Sequence, residues 1–189
     1  MYMMDSFGRK NTLWVNYIYN KKDLLKMKKY YAGIGSRKTP KEVLLKMKEF
    51  SRILSDKGFI LRSGGASGAD KAFESGITDL SLKEIFYAND ALPWAFDEVK
   101  KYVPSDRKNF DTWKPYTKKL LARNMMQVLG SDGSSPVEFI LCWSPSLNYL
   151  DSSSGGTAWA LRCGLSYNIP IFNLLDPKQE ALFIEKYLK

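Results

Sequence analysis

The sequence predicts an α/β fold: a mostly parallel sheet with helices on both faces. Short apolar runs alternate with segments of helical periodicity. Glycine-bearing turns follow several of those runs and lead into helices. The chain has 189 residues, 44% of them hydrophobic, which suits one compact domain. Strand and helix in alternation imply parallel pairing through right-handed crossovers.

The pattern becomes regular at residue 30. Tyr30 to Ile34 is an apolar run ending at Gly35, a first strand. In "TPKE", Thr39 reads as an N-cap, Pro40 as the first helical position and Glu42 as the partner closing a capping box. Val43, Met47, Phe50 and Leu54 recur at helical spacing, and Gly58 stops that helix. Phe59 to Leu61 is a second strand, followed by a glycine loop and a helix around Lys71 to Ser75. Leu82 to Tyr87 reads as a third strand, and residues 88–114 as an irregular insertion. Pro115 to Leu129 is a helix ended by Gly130, and Val137 to Trp143 is a fourth strand. A long polar loop then opens a helix over Ala158 to Leu165. Ile169 to Leu174 is a fifth strand, and Pro177 to Leu188 a closing helix. The whole is a Rossmann-like three-layer sandwich. Residues 29–189 read as the domain and residues 1–28 as a basic N-terminal extension.

Composition excludes several chemistries. The chain has no histidine, which removes imidazole catalysis and histidine-ligated zinc, and two cysteines alone make a poor metal site. Cys142 and Cys163 lie far apart in apolar surroundings and read as buried thiols of a reduced, cytoplasmic protein. No apolar run is long enough to span a bilayer, and the N-terminus lacks the ordered regions of a signal peptide. The formal charge is +9. Residues 1–52 hold 13 Lys/Arg against 4 Asp/Glu, whereas residues 53–189 hold 16 of each. That excess suits either a polyanion footprint or a solvated basic tail with one lysine-rich helix face, and the second is favoured.

In such a sheet ligands sit beyond the carboxyl ends of the strands, near the topological switch point. Three glycine-bearing loops belong there: "GIGSR" (33–37), "SGGASGAD" (63–70) and "SSGGT" (153–157). Helix N-termini offer free N–H groups and partial positive charge, which favour phosphate. Gly33, Gly35, Gly64, Gly65, Ala66, Gly68, Gly155 and Gly156 let a ligand approach the main chain. Ser36, Ser63, Ser67 and Thr157 add hydroxyls, and Arg37 a bidentate charged contact. The dinucleotide fingerprint is incomplete, because "GIGSRK" lacks its third glycine, and no Walker-type motif is present.

"YAGIGSRKTP", "LRSGGASGADKAFESG", "LLARNMMQVLG", "FILCWSP", "GGTAWALR" and "IPIFNL" together resemble the SLOG superfamily. This Rossmann-like group includes the DNA-processing protein DprA and the LOG-type phosphoribohydrolases. The chain is most similar to small DprA-like proteins common in bacteriophage genomes, over roughly residues 30–175. The resemblance implies a nucleotide-type ligand at the three loops. It also makes the Arg123, Asn124 and Gln127 face of the Pro115–Leu129 helix a pocket wall, although plain amphipathicity explains that face equally well. Trp143, at the end of the fourth strand, is a candidate to flank a base, and Arg162 to add charge near the ligand.

LOG-type hydrolases carry a glutamate shortly after "GGT". Here Ala158, Trp159, Ala160 and Leu161 follow instead. The nearest acidic residues are Asp70, Glu74 and Asp151. Asp70 is the candidate catalytic residue if the chain is an enzyme, acting on an oxocarbenium-like centre or on water; it equally suits ribose binding or helix capping. Glu74 reads as a surface charge. Binding without turnover is therefore expected, with no cofactor and no metal. The favoured ligand is a small nucleotide or nucleotide-derived signal, of ADP-ribose or cyclic type, and the favoured role is a phage anti-defence protein sequestering an immune signal. The alternatives are a nucleotide N-glycosidase and a DprA-like binder of single-stranded DNA, for which Trp94, Phe96, Tyr102 and Trp113 are candidate stacking residues or base-covering aromatics, with core packing the favoured role. A homo-oligomer is expected; a nucleic-acid partner is permitted but not favoured, and no membrane partner is expected.

Overall fold

The computed structural model describes residues 28–103, 110–149 and 155–189. The expected N-terminal extension and Asp151 fall outside them, apart from Lys28. Five parallel strands form one sheet: β1 (Lys29–Gly35), β2 (Phe59–Ser63), β3 (Lys83–Ile85), β4 (Phe139–Trp143) and β5 (Ile171–Asn173). Their order across the sheet is β3-β2-β1-β4-β5. The chain thus winds outward from β1 through β2 to β3, then returns to the other side of β1 to lay down β4 and β5. The switch point lies between β1 and β4, where the following loops part and leave a crevice.

The helices are α1 (Lys41–Asp56), α2 (Ala69–Gly76), α3 (Pro93–Lys100), α4 (Pro115–Leu129), α5 (Thr157–Ser166) and α6 (Pro177–Phe183). Two cores follow from the alternation of side chains across buried strands. Tyr31, Phe139 and Leu141 join Met47 and Phe50 of α1, Phe73 of α2 and Phe183 of α6. Ala32, Ile34, Ile140 and Cys142 face the other way, onto Met125 and Val128 of α4 and Trp159 and Leu161 of α5. Cys142 and Cys163 are buried free thiols, and burial pushes the Cys163 thiol up to about 12. No described helix is long and apolar enough to cross a membrane.

Several local expectations differ. Thr39 does not cap α1: its hydroxyl donates to the Ser36 carbonyl at 2.6 Å, and Pro40, outside the helix, accepts from the N–H groups of Val43 and Leu44. The Thr39 side chain is thereby committed to the loop after β1 rather than to the helix end. The described parts of the expected irregular insertion 88–114, residues 88–103 and 110–114, hold a helix and two 3-10 turns. Pro93 opens α3 at a position where its missing N–H costs nothing, and Ala95 and Val99 are fully buried one turn apart. Eight residues are too few to display a clear period beside so many aromatics. Those aromatics pack inward. Trp94 Nε1 donates to the Ser131 carbonyl at 2.9 Å, and Trp113 meets Trp159 edge-on at 5.6 Å between ring centroids. Phe96 and Tyr102 also pack against that core, and the Tyr102 hydroxyl donates to Glu98 at 2.6 Å. The third strand is shorter than expected at both ends: Leu82 belongs to the 3-10 turn Leu80–Leu82, where the Asp79 carboxylate accepts from the Ser81 N–H at 2.9 Å, and Tyr87 leads into a second 3-10 turn, Ala88–Asp90.

Candidate ligand-binding cleft

A cleft of about 680 Å³ opens at the carboxyl ends of β1, β2 and β4 and runs along one face of α4. Each wall is built by a different loop.

The loop after β1 is pinned at both ends. Ser36 N–H donates to the Trp143 carbonyl at 3.2 Å, while its Oγ accepts from the Lys38 N–H at 3.1 Å. With Thr39 bonded back to Ser36, the turn is closed, and Arg37 and Lys38 are left exposed on the cleft rim. The loop after β2 touches this turn at Gly68, whose φ of 88° lies in the left-handed region; a Cβ there would sit 3.0 Å from the Arg37 Cα.

The β2 loop is organised by two carboxylates. Glu74, expected as a surface charge, is 8% exposed. Its Oε1 accepts from Ser63 Oγ and from the Gly65 N–H, both at 3.0 Å, and its Oε2 accepts from Lys71 Nζ at 2.7 Å. The Ser63 hydroxyl is consumed inside the loop and does not line the cleft. Asp70, also buried, borders the cleft together with Ala66 and Ser67. Its Oδ2 accepts from Arg123 Nη1 at 3.1 Å and from the Ala66 N–H at 3.3 Å. Burial pushes the Asp70 carboxyl above the usual carboxylate range, and the Arg123 charge opposes that shift.

The face of α4 supplies the floor. Asn124 Nδ2 donates to the Gly156 carbonyl at 2.9 Å, which ties the helix to the loop before α5. Arg123 Nε is buried without a partner, and so are both amide atoms of Gln127, a residue with no exposed surface. Leaving a buried polar group unpaired costs about 1–3 kcal/mol. Gly155, Gly156 and Thr157 close the third wall, where the N-terminus of the ten-residue helix α5 faces the cleft.

Other residues read as site candidates serve packing or loop closure. Gly33 lies against Leu61 and Phe73, and Gly35, itself on the cleft, against Ala69. Gly64 backs onto the Arg123 guanidinium, and Gly65 onto Tyr87. Trp143 points into the apolar core with Leu141 and Phe172, and its carbonyl, not its ring, serves the β1 loop. Arg162 donates from Nε to the Tyr149 carbonyl at 2.8 Å and lies over the Trp159 ring at 5.2 Å, so it secures the β4 loop from behind. Lys38, Tyr116, Thr117, Leu120, Leu121 and Pro145 also line the cleft without having been singled out. The signal for three of them was available: Tyr116, Leu120, Arg123 and Gln127 fall at successive turns of one helix, and Thr117 lies seven residues before Asn124. Among the described residues no group of three or more Cys, Asp or Glu side chains could hold a metal ion.

No family model and no curated protein matches the chain. Solved structures do. DNA processing protein A from Helicobacter pylori, described for a unique mode of binding single-stranded DNA, superposes with a TM-score of 0.52 at 18% identity; 87% of this chain and 75% of that one are covered. DNA processing protein A (DprA) from Streptococcus pneumoniae superposes with a TM-score of 0.50 at 16% identity, covering 87% of this chain and 58% of that one. The five parallel strands and their flanking helices are thus those of the Rossmann-like fold that DprA adopts.

Proposed function

We propose that the cleft binds single-stranded DNA, seating one phosphate and its nucleotide between the three loops, without turnover. The observation that carries this reading is the charge arrangement of the cleft. Among the described lining residues the charged ones are Arg37, Lys38, Arg123 and Asp70, and the Asp70–Arg123 pair neutralises itself at the floor. Two exposed cations, Arg37 and Lys38, remain at the rim of the cleft that the N-terminus of α5 also lines, a combination suited to a phosphodiester. Tyr116, 61% exposed at the mouth, adds a face on which a base can stack. The fold shared with a protein that binds single-stranded DNA supports the same choice. Asp70 is the one carboxylate among the described lining residues, and its engagement by Arg123 and Ala66 suits a structural role better than attack on a sugar.

The test is fluorescence anisotropy with a labelled oligothymidylate across a salt series. Affinity falls with salt along a slope of about −0.7 per phosphate neutralised. Arg37→Ala reduces that slope and weakens binding. A salt-independent affinity, or one indifferent to Arg37→Ala, overturns the reading. The cleft volume of about 680 Å³ also suits a free nucleotide signal, the ligand an anti-defence protein would sequester. A mononucleotide, ADP-ribose or a cyclic dinucleotide that binds more tightly than the oligonucleotide establishes this second reading. Release of free base on incubation, abolished by Asp70→Asn, establishes an N-glycosidase instead.

A further inference from the structure

The geometry points to Gln127 as a specificity-determining residue that reads the edge of one unstacked nucleobase. This rests on the reading of the cleft as a nucleotide site and adds to it a preference among bases.

The argument starts from what α4 leaves unpaired. Gln127 is fully buried, borders the cleft, and has no hydrogen-bond partner at either Oε1 or Nε2. One turn earlier on the same face, Arg123 Nε is buried and unpartnered as well. A purely structural glutamine at such a position would pair its amide, as Asn124 does with the Gly156 carbonyl at 2.9 Å and as Asn173 does with the Ser144 main chain. A leucine or methionine would fill the same space without stranding polar atoms. The amide therefore has its use with a partner from outside the chain. A glutamine amide presents one acceptor beside two donors, the pattern that complements a base edge with donor and acceptor side by side. Arg123 Nε offers one further donor next to it.

The cleft separates this task from phosphate capture. Arg37 and Lys38 stand exposed at the rim, whereas Gln127 lies at the floor. A nucleotide held by its phosphate at the rim directs its base inward along α4. There the Gln127 side chain turns about its own torsions into the adjoining space and exchanges an unpaired state for a paired one. Rim contacts act on every sequence alike, and the floor contact discriminates.

The experiment measures affinities of the full chain for short dA, dC and dT homopolymers, and for an oligonucleotide of abasic sites, together with thermal stability. Wild type, Gln127→Leu and Arg37→Ala are compared. The expected result is a spread among homopolymers of about fivefold or more in wild type, as one base-edge pair supplies. Gln127→Leu collapses the spread to less than about twofold and leaves the melting temperature equal or higher, since it removes stranded polar atoms. Arg37→Ala weakens all homopolymers alike and preserves their ranking. A spread that survives Gln127→Leu overturns the inference, as does a wild type that binds all homopolymers and the abasic strand equally; in both cases the cleft still binds single-stranded DNA. A wild type with no affinity for any strand overturns the reading of the cleft itself.

Discussion

The guanidinium of Arg123 fills the space that a side chain at residue 64 would need. A Cβ built on Gly64 would lie 0.9 Å from Arg123 Nη1, the same nitrogen that donates to Asp70 Oδ2 at 3.1 Å. The glycine-rich turn after β2 is thus bare at this point for a neighbouring helix to reach through it. The arginine it admits holds the carboxylate at the N-terminus of α2, so a β2 turn, α2 and α4 meet in one buried contact.

Gly64→Ala displaces that guanidinium. The expected cost is about 1–3 kcal/mol of stability, with a loss of oligonucleotide affinity because Arg123 and Asp70 both border the cleft. Arg123→Ala leaves Asp70 buried without its ion-pair partner and costs about 3–5 kcal/mol. The double variant costs less than the two single changes together, because one clash and one broken pair share an origin. Urea unfolding of the four proteins measures this coupling, expected to exceed about 0.5 kcal/mol. Strict additivity would show that the contact between residues 64 and 123 is not sensed.

Asp70 makes stability respond to pH in the direction opposite to most paired carboxylates. Burial raises its folded-state value above the ordinary 3.8, with the Arg123 charge opposing. Between 3.8 and that raised value the folded chain holds more proton than the unfolded one, so this contribution is present at low pH and is lost as pH rises through the folded value. Asp70→Asn has no such titration. The stability of wild type relative to Asp70→Asn therefore declines as pH rises from the ordinary value of 3.8 through the raised folded value. Denaturant unfolding of both proteins over that range checks the sign, and a rising relative stability would mean that the pairing with Arg123 outweighs burial.

How much of this was legible in the chain depends on how local each signal is. Helix α4 could be read to both ends, because Pro115 and Gly130 mark its limits independently of tertiary context. Parallel strands buried on both faces appear as apolar runs, so β4 was visible; which of its faces Trp143 joins was not, since all four β4 residues before it are apolar too. The roles of Ser63, Glu74 and Gly64 were hidden for another reason. Ser63 and Glu74 are 11 residues apart, and Asp70 and Arg123 are 53 apart. Nothing in "SGGASGAD" itself distinguishes glycines that admit a ligand from glycines that admit an arginine. Three convergent loops could be inferred from topology; the assignment of each polar group to loop closure or to the cleft required the partners to be seen.

Asn173 shows the same dependence on distant partners and yields a separate expectation. Fully buried at the end of β5, it accepts from the Ser144 N–H at 3.1 Å and donates to the Ser144 carbonyl at 3.2 Å. It thereby stitches the start of the loop after β4, which contributes Pro145 to the cleft. Asn173→Ala strands both Ser144 main-chain groups and costs about 2 kcal/mol or more. That corresponds to a fall of about 4–8 °C in melting temperature for a chain of this size. Calorimetry checks the stability, and anisotropy at a temperature where the variant stays folded is expected to show weaker oligonucleotide binding through the displaced loop.

Tyr116 separates affinity from stability most cleanly. It stands in the first turn of α4 at the cleft mouth with 61% of its surface exposed, so its removal disturbs no core packing. Tyr116→Ala is expected to change stability by less than about 0.5 kcal/mol. If a base stacks on its ring, the same substitution weakens oligonucleotide binding by about 1–3 kcal/mol, whereas Tyr116→Phe, which keeps the aromatic face, retains most of the affinity. Thermal melts and anisotropy on the three proteins decide between stacking and hydrogen bonding. Equal losses in the Ala and Phe variants would assign the contact to the phenolic hydroxyl, and no loss in either would remove Tyr116 from the binding surface.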